Sequence, residues 1–171
     1  MNKHSISTSH VFRLAVLALA MAGAGSASAS DSAVAASTGT VVAPIDITKT
    51  ADLVFGTFAP GAAGGTVTMS VGGVRGQTAD VILIGTAGGA AEFSVSGTGG
   101  LNYSIDLANT SLSNGSGGTM NLAVESSIAS GTLSAGATGT QTFTVGGELT
   151  VGAGQAPGAY TGTVTATVEY E

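Results

Sequence analysis

Beyond residue 40, apolar side chains recur at every second position, the period of a strand with one face buried. Ala43, Ile45 and Ile47 alternate with Pro44, Asp46 and Thr48. Pro44 has no N–H to give a ladder, so it belongs at a strand start or an edge. Leu53 and Phe55 continue the pattern, and Pro60-Gly61 with Gly64-Gly65 mark a turn. Val67, Met69 and Val71 alternate again before Gly72-Gly73. Val81-Ile82-Leu83-Ile84 is apolar on both faces, which predicts a central strand covered on each side. Ala91, Phe93 and Val95 follow, then Leu101, Tyr103, Ile105 and Leu107. Asn114-Gly115 is a tight-turn signal within the polar stretch Asn109–Gly118. Met120, Leu122 and Val124 form the next strand; Phe143 with Val145, and Leu149 with Val151 beyond Gly146-Gly147, form two more. The clearest alternation closes the chain. Tyr160, Gly162, Val164, Ala166, Val168 and Tyr170 fall on one face, and Thr161, Thr163, Thr165, Thr167 and Glu169 on the other. No helical stripe of useful length occurs, and the turns are too irregular for a solenoid or propeller. About nine or ten short strands predict an all-β sandwich of two antiparallel sheets.

The first residues break this pattern. A polar start with Lys3 and Arg13 leads into the apolar run Leu14–Ala22, and Ala27-Ser28-Ala29 supplies a small-x-small exit. These are the parts of a cleaved secretory signal over residues 1–29, with a mature N-terminus at Ser30. A membrane-spanning helix needs about 20 apolar residues, roughly twice this run. Residues 30–40 are small and polar and read as a flexible N-terminal arm, and residues 41–171 as one β-domain. The expected destination is the periplasm, the cell surface or the medium, with no transmembrane segment after cleavage.

Charge and chemistry narrow the function. Glycine is abundant (28 residues) and only 8% of the chain is charged, whereas disordered chains are polar and charge-rich. Both histidines, His4 and His10, and two of the four basic residues leave with the signal. What remains is Lys49 and Arg75 against ten carboxylates, which argues against nucleic acid and anionic lipid as partners. There is no cysteine, so nucleophile–base pairs and the usual zinc and copper ligands cannot be assembled. Asp46, Asp52, Asp80, Glu92, Asp106, Glu125 and Glu148 lie one per strand or turn, without calcium-loop spacing, and read as solubilising charges. Gly61–Gly65 is followed by Thr66, with no lysine and no helix, so a phosphate cradle fails on context. Phe55, Phe93, Tyr103, Phe143, Tyr160 and Tyr170 are in phase with aliphatic neighbours and read as core; only Phe58 is ambiguous. The expectation is a non-enzyme, with no catalytic residue, no cofactor and no metal site.

The terminal strand carries a further signal. Tyr170 is next to last, and Gly158 lies fourteen residues from the end, counting Glu171 as one. An alternating strand with both markers resembles the terminal motif of chaperone–usher pilins, although any β-domain can finish on an alternating strand. In those proteins an incomplete immunoglobulin-like sandwich receives its missing strand from a neighbouring subunit, a case of β-strand addition.

More widely, the chain resembles the bacterial family called domain of unknown function 4402, whose members are secreted and grouped near fimbrial subunits. The residues that carry this are Ile47–Leu53 with Phe55-Gly56, Gly64–Val67, Phe93–Gly97, Tyr103, Val145–Val151, Gly158–Gly162 and Val168–Tyr170. The resemblance implies an immunoglobulin-like, pilin-like sandwich. It also implies a subunit-interaction strand through Gly158, Tyr160, Gly162, Val164, Ala166, Val168 and Tyr170. Its partners would be other copies of the chain, as a homopolymer, and an assembly chaperone and usher. The chain departs from classical pilins in lacking a disulfide and in an arm poor in large apolar residues. The function expected is a structural subunit of a surface fibre or coat. The alternative is a monomeric secreted or periplasmic module that binds glycan or protein through Asn109–Gly118 and Ser126–Gly139.

Overall fold

A computed structural model describes residues 30–86 and 88–171. The expected signal, residues 1–29, lies outside the described residues. Contacts divide the chain into a unit ending at Gly39 and one spanning Thr40–Glu171. Residues 30–39 carry neither strand nor helix.

The second unit is built of strands, with no helix among the described residues. In chain order they are β1 (Asp46–Ala51), β2 (Thr57–Ala59), β3 (Gly65–Met69), β4 (Arg75–Gln77), β5 (Ile82–Ile84) and β6 (Ala91–Gly97). Then come β7 (Asn102–Leu107), β8 (Thr110–Ser113), β9 (Thr119–Ser126), β10 (Ser130–Thr132), β11 (Gly139–Val151) and β12 (Ala166–Tyr170). Every pairing is antiparallel. Seven strands form the main sheet, along the path β1-β6-β11-β3-β4, with β9 on β11 and β8 on β9. This sheet curls into a half-barrel. A three-stranded sheet runs β10-β7-β12, and β2 pairs β5 in a separate ribbon.

The organising element is β11. Gly139–Val145 pairs β6, Gly147–Val151 pairs β3, and Val145–Leu149 also pairs β9. The expected break at Gly146-Gly147 is therefore no break. The strand runs on, and the glycines mark where it changes partner. A Cβ on Gly147 would lie 2.6 Å from the Ala123 carbonyl oxygen, and one on Gly146 would collide with the backbone of Met69, Ser70 and Val71. Glycine here serves close backbone approach rather than a turn.

Two apolar cores result. In one, Phe93 and Phe143 stack with centroids 5.3 Å apart, among Ala91, Val95, Tyr103, Leu133, Val145 and Val168. The three-stranded sheet covers this core through Tyr103 and Val168. The other core holds Phe55, Val67, Met69, Val81, Met120, Leu122, Leu149 and Val151. Against it pack Phe58 and Leu83 of the two-stranded β2–β5 ribbon, with no three-stranded sheet over it among the described residues.

Tyr103 is fully buried, and its hydroxyl donates to Gln141 Oε1 at 3.1 Å. Desolvation raises its pKa above the ordinary tyrosine value. The folded state thus holds this proton more tightly than the unfolded chain does. Its stabilising contribution is complete below the ordinary tyrosine pKa of about 10 and is lost as pH rises through the raised folded value. Tyr103→Phe is expected to flatten this alkaline loss, read from urea midpoints on either side of that range.

The expectation of an all-β antiparallel chain is met, though the strands fall into three sheets where two were expected. One strand is placed differently. Val81–Ile84 is not a central strand: Val81 is buried, but Ile82 and Ile84 are 60% and 50% exposed in the β2–β5 ribbon. Leu83 packs on the core from one face of β5, while Ile82 and Ile84 stand on the face turned to solvent. Of the acids, Asp46, Asp52, Asp80, Asp106, Glu125 and Glu148 are exposed and Glu92 is half-buried.

Candidate functional site

The uncovered core opens into a groove of about 1120 Å³. Phe55, Met120, Leu122, Leu149 and Val151 form its floor with Leu112. One rim is the chain from Lys49 to Pro60, which includes β2; the other is Gln155–Val164. The charged lining residues are Lys49 and Asp52, whose ammonium and carboxylate bond each other. The lining is thus mainly apolar, and its ion pair carries no net charge.

The second rim is held by its tyrosine. Tyr160 Oη donates to the Ala156 carbonyl at 2.9 Å and accepts from Gln155 Nε2 at 2.8 Å and Asn114 Nδ2 at 3.3 Å. Asn114 Oδ1 in turn accepts from Ser116 N and Gly118 N, both at 2.9 Å, which closes the β8–β9 turn. Thr161 makes one bridge to Ser113, with N···O distances of 2.8 and 3.0 Å. A Cβ on Gly162 would lie 2.7 Å from the Ser111 carbonyl oxygen, so only glycine lets the rim approach β8 this closely.

From Gly162 to Thr165 the backbone has no ladder partner among the described residues, and pairing resumes at Ala166 with Leu107 of β7. The strand expected over 160–170 is thus interrupted where it crosses from β8 to β7. A segment without ladder partners beside this groove can offer N–H and C=O groups to an incoming strand.

The seven residues of the expected interaction strand divide. Gly158, Tyr160, Gly162 and Val164 line the groove. Ala166 and Val168 pack into the covered core, and Tyr170 borders it. The Tyr170 hydroxyl has another task. It accepts from Thr98 N at 2.7 Å and donates to the Ala43 carbonyl at 3.1 Å, while Ala43 N donates to Thr98 Oγ1 at 2.7 Å. This clasp fixes the chain just before β1. From the clasp β1 runs along β6 from Ser96 to Glu92, and the chain beyond it enters the groove rim. The clasp and the groove therefore lie at opposite ends of β1.

The model of a domain of unknown function (DUF4402) matches residues 45–170. The chain belongs to this family. No curated protein and no solved structure matches it. The DUF4402 region contains both rims of the groove and all of β1 to β12. Within it, among the described residues, no three His, Asp or Glu side chains come together as a metal site. Sequence reasoning read Phe55 as core but did not set the DUF4402 rim Lys49–Pro60 opposite Gln155–Val164. The signal was Phe58, the one aromatic out of phase with its neighbours; it packs half-buried against the open core.

Proposed function

We propose that this protein is a non-catalytic structural subunit of a surface fibre or coat, joined to its neighbours by β-strand addition in the groove. The observation that carries this reading is the mainly apolar groove without net charge over one core, flanked by the unladdered segment Gly162–Thr165. An extended segment laid there would bury the floor and satisfy the free backbone groups together. On this reading the fold is an immunoglobulin-like, pilin-like sandwich short of one strand. Another copy of the chain is the partner, and the pilin resemblance adds an assembly chaperone and usher.

The clasp at Ala43 supports a head-to-tail arrangement. The chain before β1 leaves from the end opposite the groove, so an arm in the next subunit's groove makes a heterologous contact. Such contacts, when they do not close, build filaments. Residues 30–40 are the proposed donor. Surface material is expected to run as high-order ladders in SDS that collapse on boiling, and deleting residues 30–40 is expected to abolish them. Unaltered ladders after the deletion would sink the donor role of the arm. A chain that stays monomeric at high concentration would favour the loop-binding module instead.

A further inference from the structure

One wall of the groove is the β2–β5 ribbon, and its attachment is unusual. Among the described residues, no backbone ladder joins it to another sheet. Besides the packing of Phe58 and Leu83 on the core, it is held by hydrogen bonds from two side chains of β4. In the β3–β4 register Met69 faces Arg75 and Val67 faces Gln77. Met69 and Val67 are buried in the open core, and directly paired residues share a face, so Arg75 and Gln77 stand on the core side of the sheet. There they take up the ribbon. Arg75 Nη1 donates to the Phe55 carbonyl at 2.9 Å and the Thr57 carbonyl at 3.3 Å. Nη2 donates to the Ile84 carbonyl at 3.4 Å and to that of Gly85. Gln77 Oε1 accepts from Leu83 N at 3.1 Å. No carboxylate pairs with Arg75 among the described residues. Its guanidinium is spent on four carbonyls that cap one end of the ribbon, where Thr57 pairs Ile84.

The ribbon's ends are hinge-like. Gly56 (φ 72°) precedes β2, and Pro60-Gly61 follows it. Ala79 (φ 53°) lies before β5, and Gly85 (φ 66°) follows. Positive φ is open to glycine and is strained for alanine. The ribbon also presents Phe58 and Leu83, both half-buried against the open core. An unfilled apolar groove beside such side chains favours collapse of the wall onto the floor. Charge-assisted bonds from a rigid fork are the opposing force.

We infer that Arg75 is a positioning residue that latches the β2–β5 ribbon aside and keeps the groove open to receive the extended arm, residues 30–40, of another copy. The latch follows from the geometry alone, and only the occupant rests on the strand-addition reading. Without the fork, the ribbon swings about its hinges and Phe58 closes over Leu122 and Leu149.

The test uses the full mature chain. It has no cysteine, so Ala59→Cys and Thr163→Cys can be placed on opposite rims and their oxidation rate followed as a measure of closure. Anilinonaphthalene sulfonate reports the open apolar floor. Arg75→Ala is expected to speed disulfide formation at least tenfold and to cut dye fluorescence at least fivefold. Arg75→Lys keeps the charge without the fork and should move both readouts the same way by at least twofold. It decides the matter if Arg75→Ala does not fold. An unchanged or slower disulfide rate, or unchanged or higher dye fluorescence, would overturn the inference. Neither readout requires assembly, so missing SDS ladders would leave the latch standing, and a failed latch test would leave the fibre proposal standing.

Discussion

Gly146→Ala is expected to destabilise the domain by about 3 kcal/mol, the upper end of the range for overpacking a filled site. The added methyl meets backbone rather than flexible side chains. It would sit against the Met69 carbonyl oxygen and within 2.8 Å of Ser70 C and Val71 N. Relief would require β3 to move away from β11, yet Gly147–Val151 is laddered to β3 immediately beyond. β11 cannot retreat either, because Val145–Leu149 is held by β9 on its other edge. Gly89 provides the control, since a Cβ there meets nothing within 4 Å. Urea midpoints should fall sharply for Gly146→Ala and stay within about 0.5 kcal/mol for Gly89→Ala. Equal midpoints for the two variants would show that β11 does not need glycine where it changes partner.

On the strand-addition proposal, Val164→Asp is expected to reduce assembly about a hundredfold while the subunit still folds cooperatively. Val164 lines the groove and packs at the junction of both cores, on the segment without ladder partners. In the free subunit it is half-buried, so a carboxylate can turn toward water. With a strand in the groove that escape closes. An ionised carboxylate buried without a partner costs several kcal/mol, and 1.4 kcal/mol is tenfold in an equilibrium constant. Thr165→Asp, exposed on the opposite face, should leave assembly as it was. Counting SDS-resistant oligomers for the two variants separates the outcomes, and equal ladders would argue against the groove as the assembly site.

Much of the fold was legible in the sequence because a two-residue period survives wherever one face is buried. Phe93 and Val95, Met120 and Leu122, and Leu149 and Val151 all read directly as inward positions. The period says nothing about which strand lies beside which. It therefore could not show that β11 serves β3, β6 and β9 together, and the glycine pair within it reads locally as a turn. Val81–Ile84 failed for a related reason: continuous apolarity suggests cover on both faces, but Ile82 and Ile84 lie on a two-stranded ribbon with one bare face. At the site, the tail was readable as far as its phase, and Tyr160 and Val164 do face the groove. The opposite rim was legible only at Phe55, since its one strand, β2, has three residues and the rest of Leu53–Pro60 lies outside any named strand. Arg75 was not legible, because its use of backbone carbonyls leaves no charge pattern in the chain.

The central place of β11 sets the order in which this chain can fold. Before residue 139 exists, β3 has only β4, and β6 has only β1. Such two-stranded ribbons are marginal by themselves in water. Both cores close only when β11 brings Phe143 and Val145 to one and Leu149 and Val151 to the other. Condensation is therefore late and concerted, through pairings far apart in sequence that make folding slow. A chain growing from its N-terminus therefore stays pliable over most of its length until the final strands arrive.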